Sequence, residues 1–245
     1  MNRQHFYALL QKEQEFDYEN YLNTEQLLTC QTDFSDLCNQ DELQFQIVHQ
    51  VEELWLKLMV YTLLDIDECM EKMQTNKVIT LFKRVHSLQR LMIEQLELLE
   101  TMSPKDYQKI REQLGNGSGR ESPGFRALTK IPAYLWQTYT QYYLQANHLT
   151  IEKIYDTEYQ HCDGYMVAEC LAEFDELFQK FCYHHMQLIY RSIGFESKSL
   201  KGRSVEMLNQ RMSTKFFPDL WQIRTQMTDQ WGEQYGQVRA SISAI

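Results

Sequence analysis

Phe45 and His49 stand four residues apart in the stretch DELQFQIVHQVEELWLKLMVYTLLDID, residues 41–67. On a helix that spacing puts both on one face. Val48, Val51, Trp55 and Leu58 recur at steps of three and four residues and predict the buried stripe of the same helix. The Phe45–His49 face then lies roughly 100° or more from the centre of that stripe, at about 100° per residue. An aromatic ring and an imidazole flanking a core-facing stripe can wall a cavity. The plainer alternative is a half-exposed histidine beside a peripheral ring.

A second imidazole sits in a different setting. Val167, Leu171, Phe174, Phe178, Phe181, His185 and Leu188 follow one another at alternating steps of four and three. That pattern puts His185 in a core position among apolar neighbours and leaves His184 off the stripe. Most histidines so placed are hydrogen-bonded core residues. A neutral imidazole held in an apolar slot is also what an axial haem ligand requires.

The third candidate is a cation. LGNGSGRESPGFR, residues 114–126, holds four of the nine glycines and reads as a constrained loop that delivers Arg126 into the start of the next helix. An arginine fixed by a rigid loop suits bidentate contact with a carboxylate; a surface arginine is the plainer reading. The loop has no Lys-Ser/Thr ending and no strand before it, so it is not a phosphate loop.

Three kinds of metal or cofactor site can be tested against these residues. A di-iron carboxylate bundle needs two Glu-x-x-His motifs and two further glutamates, and only Glu158-x-x-His161 fits, in a predicted break. Zinc fares no better, because His184 and His185 are adjacent and no HExxH occurs. A haem pocket needs one axial histidine, a distal face and a cavity between long helices; His185, His49 and Phe45 can supply these.

The elements that must position these residues are helices. Residues 3–15 predict a short peripheral amphipathic helix. Tyr18, Tyr21 and Leu22 lie in a non-helical approach to a helical run from Thr24. A first long helix is expected over 41–74, with Asn76 marking the turn. A second follows over 78–101, faced by Leu81, Val85, Leu88, Met92, Leu96 and Leu99; the two form an antiparallel pair. Ser103 reads as an N-cap, with Pro104 at the first helical position and Asp106 in the first turn. After the glycine-rich loop, 126–148 predicts an aromatic-rich helix. A break around IYDTEYQHCDG leads to a third long helix over 163–193, ended by Gly194. ESKSLKGRS is a polar loop, 204–212 a short helix, and a last helix opens at Pro218. No internal repeat, low-complexity segment or linker interrupts the chain. The expectation is one all-α domain over 1–245, a helical bundle of long antiparallel helices around a pocket, with a peripheral helix in 1–16 and a weakly patterned tail over 229–245.

Composition bounds the function. Four prolines and nine glycines in 245 residues are few, which argues against a sheet protein. The formal net charge of −10 and a pI near 5.2, with no basic run, argue against a nucleic-acid partner. No stretch approaches about 18 uninterrupted apolar residues, and the N-terminus lacks the apolar core of a signal peptide, so no membrane partner is expected. The cysteines at 30, 38, 69, 162, 170 and 182 show no CxxC. They read as reduced, mostly buried thiols of a cytoplasmic protein.

Several blocks occur in a fixed order: DYENYL (17–22), HQVEELWLK (49–57), TMSPKDYQKIREQLG (101–115), SGRESPGFR (118–126), HMQLIYRSIG (185–194) and FPDLWQIRT (217–225). Together they resemble the tryptophan 2,3-dioxygenase family over most of the chain from residue 17 to about 228. The resemblance implies a homotetramer with non-covalent haem b in a helical bundle. It implies an enzyme that uses ferrous haem and O₂ to cleave the indole C2–C3 bond of L-tryptophan, giving N-formylkynurenine in the kynurenine pathway. His185 then matches the proximal ligand of the haem iron, His49 the distal histidine facing the indole N–H, and Phe45 the aromatic over the haem. Arg126 matches the arginine that binds the substrate carboxylate. Tyr18, Tyr21 and Leu22 match a segment that completes the pocket of a neighbouring subunit.

Two departures stand out. Where the family has a Gly/Thr-rich loop that holds the substrate head group, this chain reads GFESKSLKGRS. Ser199 stands for the expected threonine, but Leu200 and Lys201 replace its flanking glycines. The interval from Arg126 to His185 is also shorter than is usual in the family. Both changes bear on strict L-tryptophan specificity. They keep two alternatives open: a haem mono-oxygenase or peroxygenase on another aromatic, such as a tyrosine or indole derivative of a biosynthetic pathway, and a non-catalytic haem or aromatic-ligand binder.

Overall fold

The computed structural model describes residues 16–195 apart from 116, 118 and 158, together with 8, 10 and 215–231. Among the described residues every regular element is helical and no strand occurs, as composition and periodicity predict. Two short helices come first, α1 (Asp17–Leu22) and α2 (Thr24–Leu28), and neither buries a single residue. The segment expected as a non-helical approach is therefore α1, separated from α2 by Asn23 in the left-handed region. The helices expected over 3–15 and 204–212, and most of the tail, lie outside the described residues.

The frame is made by α3 (Asp41–Glu71) and α4 (Thr75–Leu99). Between them Met73 adopts φ 52, the Gln74 amide donates to the Cys69 carbonyl at 2.9 Å, and the Met73 amide donates to that of Met70. That pair of bonds closes the last turn of α3 with a non-glycine residue in the left-handed position. The reversal therefore comes at 72–74, and Asn76, expected to mark it, lies inside α4.

The buried face of α3 runs through Val48, Glu52, Leu56, Met59, Leu63, Ile66 and Met70. Of the stripe read from the sequence, Val48 is buried, Val51 and Trp55 are half-buried, and Leu58 is exposed. The helix carries a second apolar line on its outer side (Ile47, Leu54, Leu58, Tyr61), and period alone cannot tell which line packs. Phe45 and His49 do not flank the packed face; they lie on it, in register with Glu52 and Leu56.

Glu52 is 7% exposed, and burial pushes its carboxyl up to about 7, against a smaller opposing pull from the Gln95 amide. A carboxyl whose folded pKa is raised keeps its proton longer in the folded chain than in the unfolded one. Its contribution to stability is therefore fully present below the unfolded value and is lost as pH rises toward 7. Glu52→Gln should stabilise the protein at pH 8 by on the order of 2–3 kcal/mol and change little at pH 5. Urea midpoints of both proteins at the two pH values check this; an equal shift at both would show that packing, not ionisation, is at issue.

α5 (Pro104–Leu114) starts as expected, with the Ser103 hydroxyl accepting from the Asp106 amide. The helix expected over 126–148 is divided into α6 (Pro123–Leu128), α7 (Ile131–Tyr139) and a π turn over Thr140–Leu144. Pro132 lacks the amide needed to continue α6, so a new helix starts there. The short α8 (Ile151–Tyr155) precedes α9 (Asp163–Ile193), whose bounds match the sequence reading. Gly194, at φ 84, closes it with a bond to the Tyr190 carbonyl.

α9 runs alongside α4 in the same direction. His86 Nε2 meets the Cys170 carbonyl at 3.1 Å, Gln89 donates to that of Phe174 at 2.9 Å, and Arg191 pairs with Glu100 at the far end at 2.9 Å. The last helix, α10 (Pro218–Trp231), is clipped onto α9. The buried Asp175 carboxylate accepts from the amides of Phe216 (3.0 Å) and Phe217 (3.3 Å) and from Trp221 Nε1 (2.9 Å). Arg224 bonds Glu169 at 2.6 Å while lying over the rings of Tyr155 and Trp221. The block FPDLWQIRT is thus a structural clasp.

The thiol expectation needs correcting. All six cysteines are free, but only Cys69 is fully buried; Cys30 and Cys162 are exposed. No described helix is long and apolar enough to cross a membrane.

Candidate active site

α3 and α9 each pack closely along α4 but are not closely packed against each other. His49 projects from α3 and His185 from α9, near enough to each other that protonating one would disfavour protonating the other. The space between them is closed at one end by α6. Phe125 meets Phe181 with ring centroids 5.4 Å apart. Met59, Met92, Leu128 and Phe178 complete that floor around a residual void of about 10 Å³, no more than a water-sized gap.

The tautomer of His49 follows from its surroundings. Nδ1 lies 2.7 Å from the Phe45 carbonyl oxygen, which can only accept, so Nδ1 carries the proton and donates. Burial lowers the pKa, opposed by that bond and by the Glu53 charge. The ring is neutral, and Nε2 is left as an acceptor. Phe45 packs against it with centroids 4.1 Å apart, and Tyr107 of α5 stands 6.2 Å from Phe45. Burial raises the pKa of the Tyr107 phenol above its ordinary value. Tyr107 was not singled out in the sequence; its presence in TMSPKDYQKIREQLG was the available signal.

His185 is neutral as well. Burial and the nearby His49 take its pKa down to about 4. Its ring lies nearly parallel to Phe181 (6°, centroids 6.2 Å), and its nitrogens have no hydrogen-bond partner among the described residues. The sequence left two fates open for this histidine, and the hydrogen-bonded core residue is not the one found. An axial haem ligand needs a neutral imidazole with an uncommitted nitrogen in an apolar setting. His185 has those properties, so the residues present fit the group. His184 is exposed, edge-on to Tyr183. Among the described residues no cluster of three or more His, Cys, Asp and Glu side chains could hold a metal ion alone.

Arg126 sits in the last turn of α6, not at a helix start, and is exposed. Its guanidinium has no ion-pair partner among the described residues. The loop before it contains a 3₁₀ turn over Gly119–Glu121, and the Ser122 hydroxyl caps α6 by accepting from the Phe125 amide at 3.1 Å. Tyr18, Tyr21 and Leu22 are 71%, 86% and 44% exposed. They are not brought to His49 and His185 within this chain. Ser199, Leu200 and Lys201 lie outside the described residues.

The chain is similar in sequence to known proteins. The family model for tryptophan 2,3-dioxygenase matches residues 7–131, a span that contains Phe45, His49 and Arg126 but stops before His185. The tryptophan 2,3-dioxygenase of Myxococcus xanthus is 28% identical over 263 residues, covering 86% of this chain and 89% of that protein. That of Serratia proteamaculans is 28% identical over 259 residues, with 86% and 92% covered. That of Geobacillus thermodenitrificans is 26% identical over 266 residues, with 88% and 94% covered. The family match spans half the chain, and these relatives extend the likeness through α9. The chain belongs to the tryptophan 2,3-dioxygenase family, a family of haem-dependent oxygenases.

Proposed function

We propose that this protein is a haem-dependent dioxygenase that inserts O₂ across the indole C2–C3 bond of L-tryptophan or a close indole relative. The product would be of the N-formylkynurenine type, carrying both atoms of O₂. The observation that supports this most is the pair of neutral imidazoles, one on α3 and one on α9, close enough to influence each other electrostatically on helices that each pack on α4 and not closely on each other. Haem b, held by His185, would supply the ferrous iron at which O₂ is activated.

The chain's own residues divide the remaining tasks. His49 Nε2 accepts the indole N–H, a role that needs a lone pair and not a strong base. Phe45 offers an apolar face to the indole, with Tyr107 behind it. Arg126 at the edge pairs its fork of N–H donors with the substrate carboxylate. Tyr18, Tyr21 and Leu22, unburied in their own chain, would cover the pocket of a neighbouring copy in a homo-oligomer, a tetramer or a dimer. Ser199 would contact the substrate head group. The whole chain, 1–245, would act as one all-α domain in the cytoplasm, where the free thiols stay reduced.

The test is turnover of L-tryptophan under O₂ with ascorbate, and separately with peroxide, read by product mass. A gain of two oxygen atoms under O₂ is expected. A gain of one, driven by peroxide, would replace this reading with mono-oxygenation. Haem binding without turnover of any indole would reduce the protein to a binder.

A further inference from the structure

Glu53 follows His49 by one helical turn on α3 and takes no part in the roles above. Its carboxylate leaves the helix toward α6, where Oε2 accepts from the Gly124 amide at 3.1 Å. Gly124 sits so close to α3 that an added Cβ would stand 2.6 Å from the Leu56 Cβ and 2.9 Å from Glu53 Oε2. Real Cβ atoms do not approach so closely, so only glycine lets the two helices meet here. The next residue, Phe125, has its amide capped by Ser122 and its ring against Phe181. The residue after that is Arg126.

From this geometry we infer that Glu53 is a positioning residue for the substrate carboxylate: its bond to the Gly124 amide seats α6 on α3 and so sets where Arg126 stands relative to His49. The inference rests on the assignment of Arg126 to the carboxylate made above. The α6 helix is only six residues long and is too short to hold its own position. Two of its N-terminal amides are satisfied from different sources: Phe125 by the local Ser122 hydroxyl, Gly124 by a side chain of the helix that carries His49. The same carboxylate acts electrostatically on His49, opposing the effect of burial there. One acidic group thereby links the acceptor for the indole N–H to the clamp for the carboxylate. The link requires an acceptor oxygen at position 53, not a charge.

The experiment measures equilibrium binding of L-tryptophan and of tryptamine, which lacks the carboxylate, to the haem-loaded protein and its variants. Glu53→Ala should weaken L-tryptophan about tenfold and leave tryptamine within about twofold, the size expected for one misplaced charge-assisted contact. Glu53→Gln keeps an acceptor oxygen and should bind both ligands within about twofold of the parent. The double variant Glu53→Ala/Arg126→Leu should bind L-tryptophan no more weakly than Arg126→Leu alone, because both changes remove one contact. Equal loss for both ligands, or additive losses in the double variant, would overturn the inference. Amide exchange at Gly124 and Phe125 separates this from the Arg126 assignment. If Arg126→Leu leaves L-tryptophan binding intact, that assignment fails. Unchanged protection of the two amides in Glu53→Ala would instead remove the hold of Glu53 on α6.

Discussion

Replacing His185 by alanine should strip most of the haem from the purified protein while leaving it helical. The expectation comes from what surrounds the ring. Phe181 lies parallel to it, its nitrogens have no protein partner among the described residues, and its pKa of about 4 keeps it neutral and able to donate a lone pair at any working pH. Loss of the imidazole removes no hydrogen bond from the described core, so the fold has little to lose beyond a packing contact. The cofactor would lose its axial bond. His184→Ala should change occupancy much less, because that ring is exposed and off the packed face. Haem absorbance per chain and far-UV circular dichroism on the same samples read both effects. A normal Soret band at full occupancy in His185→Ala would remove His185 from this role.

Arg126→Leu should weaken L-tryptophan binding by about 1.5–3 kcal/mol, roughly 10- to 150-fold. The figure is that of a hydrogen bond to a charged group and not of a buried ion pair. The Arg126 side chain is exposed in the free protein and must give up water to close on a carboxylate. Tryptamine should be affected far less, since it presents no carboxylate. Equal losses for the two ligands would make Arg126 a structural residue of α6. A large loss confined to tryptophan would also show that the head group is gripped on the α6 side, whatever Ser199, Leu200 and Lys201 contribute.

Much of this molecule is written locally in the chain. The helical class, the limits of α9, the Ser103 cap of α5 and the stop at Gly194 depend on spacing, capping oxygens and one glycine, all short-range properties. The line that alternates by four and three on α9 was legible for the same reason, and His185 lies on it half-buried, beside further buried residues such as Ala168, Ala172 and Met186. The family blocks were legible as ordered strings; they contain His49 and Arg126, and Phe45 precedes His49 by one helical turn.

Other features had no local signal. α3 bears apolar residues on two sides, and only its packing against α4 decided that Val48, Glu52 and Leu56 face inward while Leu54 and Leu58 do not. That choice moved Phe45 and His49 from the flank of the buried face onto it. The reversal at 72–74 was hidden because a methionine, not a glycine or asparagine, takes the left-handed position. The contacts of Tyr107 with Phe45 and of Glu53 with the Gly124 amide arise where separate helices meet, across sequence distances that no periodicity spans. A period reports which residues share a face; which face finds a partner is settled by the rest of the chain.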